Sequence, residues 1–154
     1  MTDAFGVVQR GVFPPMQLHT FSEPNTEPFW QAAREERLVV ARCTNCGTFR
    51  MPPFPICHVC QTDGVEWVEL SGRGTIYSHT VVRHPLHPDL AAVVPYISAI
   101  IEVDGTQGEG ARLLANVIDC DPAEVAIGMR VEIVWDHVND DLTVYRFRPV
   151  KDEG

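Results

Sequence analysis

Cys43-Thr-Asn-Cys46-Gly47 and Cys57-His-Val-Cys60, with ten residues between Cys46 and Cys57, form the stretch that decides how this chain is read. A Cys-x2-Cys turn brings two sulfurs to one ion at about 2.3 Å each, and two facing turns complete the tetrahedral thiolate cage that zinc prefers. Gly47 suits the first turn, because the residue after the second ligand often needs a positive φ. With all four places filled by protein, the site reads as closed and structural, with none left for a substrate. Two disulfides would need an oxidising compartment. The start, Met1-Thr-Asp-Ala-Phe-Gly6, has neither the basic nor the apolar region of a secretory signal. A thioredoxin-like motif needs one Cys-x-x-Cys, not two opposed pairs. Iron accepts the same ligands, so a rubredoxin-like electron carrier stays open beside the zinc reading. His58, inside the second knuckle, reads as an exposed turn residue, and Cys120, alone in an apolar stretch, as a small buried one.

Upstream of the cysteines, Arg37–Arg42 reads as a strand leading into the first knuckle. A helix precedes it, starting near Asn25 or Thr26, either of which can cap it, with Pro28 tolerated in the first turn. Phe29 and Ala33 stand four residues apart and share a face. Residues 1–24 show no period. They form an irregular arm carrying Phe5, Val7, Val8, Val12, Phe13, Met16, Leu18 and Phe21, which would pack on the body or on a partner.

Downstream, strand-like segments follow one another: Val65–Leu70, Gly74–Arg83, Tyr96–Val103, Arg112–Ile118, Met129–Val138 and Leu142–Arg148. Gly72-Arg-Gly74 suggests a bulge or bend. A short helix is expected between Asp121 and Gly128, with Asp121 as cap and Gly128 as stop. A short helix between the third and fourth strands of a five-stranded set is the layout of an OB-fold barrel. The expected architecture is mainly β: arm 1–24, helix and zinc ribbon 25–64, OB-fold 65–150.

Composition narrows the partners. The chain has 154 residues and a net charge of −9, from 21 acidic and 12 basic residues. That sign opposes the basic footprint of a nucleic-acid binder, although ribbons and OB-folds serve that role in other proteins. The longest apolar run, Val93–Ile101, contains Pro95 and is too short to span a bilayer. The expectation is a cytoplasmic protein with reduced thiols and neither nucleic acid nor membrane as partner.

An ordered set of motifs carries a resemblance. Phe29-Trp30 on a helix precedes the cysteine ribbon. Gly72-Arg-Gly-Thr-Ile-Tyr-Ser-His-Thr80, Pro95-Tyr96, Gly128-Met-Arg-Val-Glu132 and Tyr145-Arg-Phe-Arg-Pro149 follow in that order. Over about residues 25 to 150 this resembles the acyl-CoA-associated proteins with a rubredoxin-like zinc ribbon and a C-terminal OB-fold, long labelled a domain of unknown function. Asp104–Gly110 is longer and richer in glycine than the family's turn, and the arm exceeds the family minimum. The resemblance implies a non-catalytic accessory subunit in a hetero-oligomer of the α2β2 kind with a thiolase-superfamily protein. The partner would be a thiolase, an acyltransferase or a side-chain aldolase, as in lipid or aromatic degradation. Its catalytic residues would belong to the large subunit, while this chain would help assemble the complex and handle acyl-CoA, with one structural Zn2+.

The residues themselves add little catalysis. There is no Gly-x-Ser-x-Gly elbow, Walker loop or His-Glu-x-x-His. His84-Pro-Leu-His87-Pro-Asp89 could supply acid–base groups or metal ligands, or be a Pro-punctuated loop with exposed histidines. Arg73, Arg83, His84 and Arg112 form the CoA-side set, since guanidinium is the usual fork for phosphate. Each of these arginines could instead pair locally with Asp or Glu. Phe29 and Trp30 are the candidate partner-interface residues, with the seam between ribbon and barrel as their other reading.

Overall fold

The computed structural model describes residues 23–106 and 111–151. Most of the arm, and residues 107–110 of the Gly-rich stretch, lie outside the described residues.

Helix α1 runs Glu27–Arg34, with proline in its first turn, and buries Phe29, Ala32 and Ala33. Thr26 stands at the N-cap, but its hydroxyl donates to the Glu23 carbonyl at 3.3 Å instead of capping the helix. Three strands then form an antiparallel sheet, β1 (Leu38–Cys43), β2 (Phe49–Arg50) and β3 (Val65–Leu70), in the order β2-β1-β3. The register of β3 on β1 runs from Leu38↔Leu70 to Cys43↔Val65. The ribbon sheet therefore reaches past residue 64, and β3 is its edge strand rather than part of the barrel.

Five strands close a barrel: β4 (Arg73–Val82), β5 (Tyr96–Val103), β6 (Arg112–Val117), β7 (Arg130–His137) and β8 (Thr143–Pro149), in the order β4-β5-β6-β8-β7. Inward residues alternate along β5 and β6, as Leu113, Ala115 and Val117 do on β6. The β4–β5 and β5–β6 pairings are long, but β4 meets β7 only through Arg73, Gly74 and Thr75. β6 meets β8 at one parallel pair, Val117↔Phe147. The expected bend at Gly72 is present: its φ is +76°, and a Cβ there would lie 2.4 Å from Ile133 Cγ2. The bulge sits further on, between Ile76 and Ser78.

The expected helix over 121–128 is a single turn. Asp121 Oδ1 does accept from Ala123 N at 2.8 Å, and Asp121 O accepts from Glu124 N and Val125 N. Gly128 N donates to the Ile76 carbonyl on β4 at 2.8 Å. A helix nucleus is unfavourable until several further bonds propagate it, and here the backbone is drawn to the barrel first.

One hydrophobic core joins the parts: Phe29, Ala33, Leu38 and Val40 from helix and ribbon pack with Ile76, Ile101, Val131 and Phe147 from the barrel. An ion pair lies within the barrel wall, where Arg146 Nε donates to Asp136 Oδ2 at 2.8 Å and Nη1 to Asn116 Oδ1 at 3.3 Å. No helix among the described residues is long and apolar enough to cross a membrane.

Candidate metal centre

The two knuckles are near copies of one another. Gly47 N donates to Cys43 O, and Gln61 N to Cys57 O, both at 2.9 Å. Cys43 N donates to Thr48 O at 2.9 Å, and Cys57 N to Thr62 O at 2.8 Å. The residue after each second cysteine is left-handed, Gly47 at φ 75° and Gln61 at φ 59°. Each knuckle then has a threonine two residues past its second cysteine. Thr48 Oγ1 lies 3.2 Å from Cys46 Sγ, and Thr62 Oγ1 lies 3.1 Å from Cys60 Sγ and 3.5 Å from Cys43 Sγ.

These turns bring the four sulfurs together. Cys43 and Cys60 Sγ are 3.5 Å apart, Cys46 and Cys57 Sγ 3.6 Å, and all four lie within 4.8 Å of one another. A tetrahedron with bonds of about 2.3 Å has edges of about 3.8 Å, so the donors fit one ion. It is the one such His, Cys, Asp and Glu group among the described residues. The hydroxyls shape the thiols. The Thr62 hydroxyl, followed by the Asn45 side chain, brings Cys60 down to about 5, and Thr62 also lowers Cys43. For Cys46 the Thr48 hydroxyl acts downwards, but desolvation and hydrogen bonds shared with Cys60 and Cys57 carry it upwards. His58 is exposed and outside the sulfur cluster, and Cys120 is buried, with its thiol pushed up by desolvation.

Phe29 is 3% exposed, and its ring meets Trp30 and Tyr145 edge-on, with centroids at 5.1 and 5.5 Å. The seam between α1 and β8 takes this ring, which leaves it no surface for a partner. Trp30, next along the helix, is half-buried. Two exposed contacts fasten the same seam: Arg34 Nε to Asp141 O at 3.1 Å and Glu36 Oε1 to His137 Nε2 at 2.9 Å.

The CoA-side set does not form one cluster. Arg73 opens β4, and Arg112 opens β6 opposite Glu102, which itself pairs with Thr75. Arg83 and His84 follow the far end of β4, about 30 Å away along a ten-residue strand. Residues 83–95 and 104–106 lie at opposite ends of β5. Arg112 lies over the Tyr77 ring at 3.8 Å and reaches Glu102 at 4.0 Å. Arg83 and His84 are exposed, with no ion pair or side-chain hydrogen bond among the described residues. In the same loop, His87 Nδ1 accepts from Asp89 N at 3.3 Å and starts a 3-10 turn over Pro88–Leu90, which gives that histidine a structural task.

Comparison with known proteins matches both parts. Residues 30–66 fit a family model described as the ChsH2 rubredoxin-like zinc ribbon domain, and residues 67–136 one described as the ChsH2 C-terminal OB-fold domain. A DUF35 domain-containing scaffold protein of Methanocaldococcus jannaschii is 37% identical over 130 residues, covering 79% of this chain and 89% of that protein. A probable enoyl-CoA hydratase alpha subunit of Thermomonospora curvata is 40% identical over 122 residues, or 79% of this chain. The match spans only 36% of that longer relative. Among solved structures, a chain of the Ltp2-ChsH2(DUF35) aldolase superposes with a TM-score of 0.74 at 36% identity, covering 85% of this chain and 98% of that one.

Proposed function

The chain belongs to the ChsH2 family of zinc-ribbon and OB-fold proteins, the family of the DUF35 scaffolds, and from that membership we propose that it is a non-catalytic scaffold subunit of a thiolase-like acyl-CoA complex. One observation carries the reading. Ribbon and barrel share one core, and the same pair of parts makes up 98% of the corresponding chain of an aldolase complex. A ribbon and barrel of this kind forming one chain of an aldolase complex supports a role beside a partner that carries out the chemistry.

The metal is one structural zinc held by Cys43, Cys46, Cys57 and Cys60. It supplies cross-linking and no open coordination place. In so small a module, binding and folding are coupled. Trp30, half-exposed beside the buried Phe29, is the aromatic anchor offered to the partner. CoA is met at one end of the barrel. Arg83 and His84, adjacent, exposed and both unengaged, are the pair proposed to face its phosphates. The DUF35 scaffold likeness, rather than the hydratase name of a much longer relative, guides this reading.

Recovery of the tagged chain from its native host tests it. A thiolase-superfamily protein, identified by mass, should co-purify in defined stoichiometry, and its acyl-CoA condensation or cleavage should fall when the chain is removed. Metal analysis should give one zinc per chain, lost in Cys57→Ser together with the ribbon fold. Arg83→Ala with His84→Ala should raise the KM for acyl-CoA, while Arg73→Ala with Arg112→Ala should not. Turnover by the isolated chain that vanishes on His84→Ala would overturn the scaffold role, as would recovery with nucleic acid alone.

A further inference from the structure

The ribbon contains a buried cation that lacks a carboxylate. Arg50 is 2% exposed and stands on β2 opposite Ala41. Cross-strand partners point to the same face of a sheet, as do residues two apart along a strand. Arg50 thus shares its face with Cys43, one strand over and two residues along, about 8 Å from Cα to Cα. Its Nη2 donates to Gly64 O at 2.9 Å, its Nη1 to Pro55 O at 3.4 Å, and its Nε is buried without a partner. No Asp or Glu pairs with it among the described residues.

The two carbonyls are placed around the second knuckle. Pro55 comes two residues before Cys57, and Gly64 four after Cys60. Gly64 O also accepts from Thr44 N at 3.3 Å, the residue after Cys43. The two segments lie close here: a Cβ at 64 would stand 2.2 Å from Thr44 Oγ1.

A buried charge without an opposite charge is strongly unfavourable. Two carbonyl dipoles solvate part of a guanidinium and cancel none of its charge. The missing anion is at hand if the sulfurs are metallated. Four thiolates around one divalent ion carry a net charge of −2, equally unwelcome in a small protein interior. We propose that Arg50 is the internal counter-ion of the metal centre, a positioning residue whose charge offsets the tetrathiolate–metal unit while its fork ties both flanks of the second knuckle to β2.

This rests on the reading of a bound divalent ion, so the test begins with the metal content of the unaltered full chain. A folded wild-type chain with no metal defeats that reading itself. With metal present, Arg50→Met and Arg50→Lys are compared by the rate of zinc release to a chromophoric chelator and by the absorption of the Co2+-substituted protein. Outer partners of a metal site typically govern affinity by about 10–100-fold. Release from Arg50→Met should be faster by at least about tenfold, and Arg50→Lys, which keeps the charge, should stay near wild type. The thiolate-to-cobalt charge-transfer band should move to longer wavelength in Arg50→Met, since removing a nearby cation makes the sulfurs better electron donors. A purely mechanical latch would leave that band in place. Should Arg50→Met fail to fold, Arg50→Gln removes the charge while retaining a donor for Gly64 O, and the same comparison with Arg50→Lys stands. Wild-type release from the neutral variant, or equal loosening in the neutral and lysine variants with an unmoved band, overturns the proposal.

Discussion

Replacing Phe29 by alanine should detach α1 from the barrel. The ring is 3% exposed and meets Trp30 and Tyr145 edge-on at 5.1 and 5.5 Å. Truncating a core phenylalanine costs about 3–5 kcal/mol. Two edge-on ring pairs, at about 0.5–1.5 kcal/mol each beyond burial, put this site in the upper part of that range. The other fastenings of the seam, Arg34 to Asp141 and Glu36 to His137, are exposed, and such contacts contribute about 1 kcal/mol or less. They cannot replace the ring. Against a total stability of about 5–15 kcal/mol, the variant should unfold at much lower denaturant. Urea unfolding of the zinc-loaded full chain, followed by circular dichroism and tryptophan fluorescence, measures this with Trp30→Ala alongside. Trp30 is only half-buried, so its loss should cost roughly 2 kcal/mol and fall more heavily on partner binding. The argument fails if Phe29→Ala unfolds within about 1 kcal/mol of wild type, an ordinary substitution's cost, yet no longer binds the partner.

Gln61 occupies the left-handed place that Gly47 fills in the other knuckle. A left-handed side chain costs about 1–2 kcal/mol, glycine's extra unfolded freedom returns about 0.4–1, and Gln61→Gly should raise the melting temperature slightly. Thr62→Val should shift acid release of zinc to higher pH. Cys60 is held down to about 5, below the ordinary thiol value, so its contribution is complete above that ordinary value and is lost as pH falls towards about 5. Without the Thr62 hydroxyl that loss begins earlier, and Thr62→Ser should restore the profile, read as bound zinc against pH. Gly72→Ala combines φ +76° with a Cβ 2.4 Å from Ile133 Cγ2. It should destabilise by about 2–4 kcal/mol in the same urea assay.

Local patterns carried far in this chain. The cysteine spacing alone predicts the knuckles, because each turn is built from six consecutive residues. β3 and β5 have the bounds expected from their apolar and β-branched runs. What failed depends on through-space placement. Asp121, Pro122 and Gly128 carry the marks of a helix, but only one turn forms, and Gly128 N is bonded to the Ile76 carbonyl on the neighbouring strand β4. Arg73 and Arg83 look like neighbours in a short list of arginines, yet a single extended strand holds them at opposite ends of the barrel. Nothing in the sequence around Arg50 or Arg146 sets them apart from surface charges. Only the register on β1 for one, and Asp136 and Asn116 for the other, show that both are interior.

The short closure of the barrel sets an order of events. β4 is ten residues long and hydrogen-bonded to β5 along most of that length, but it shares only three paired positions with β7, and β6 shares one with β8. The barrel is in effect a three-stranded meander and a hairpin clasped at two narrow points. Nearest-neighbour hairpins close small loops and form early, whereas both clasps join distant stretches of chain and bear the larger entropy of closure. The clasps should therefore be the last contacts made in folding and the first released in native fluctuations. Amide exchange would register this as early loss of protection at Ile133 and Ile118, whose N–H groups bond across these clasps to Gly72 and Phe147, while the β4–β5 amides stay protected.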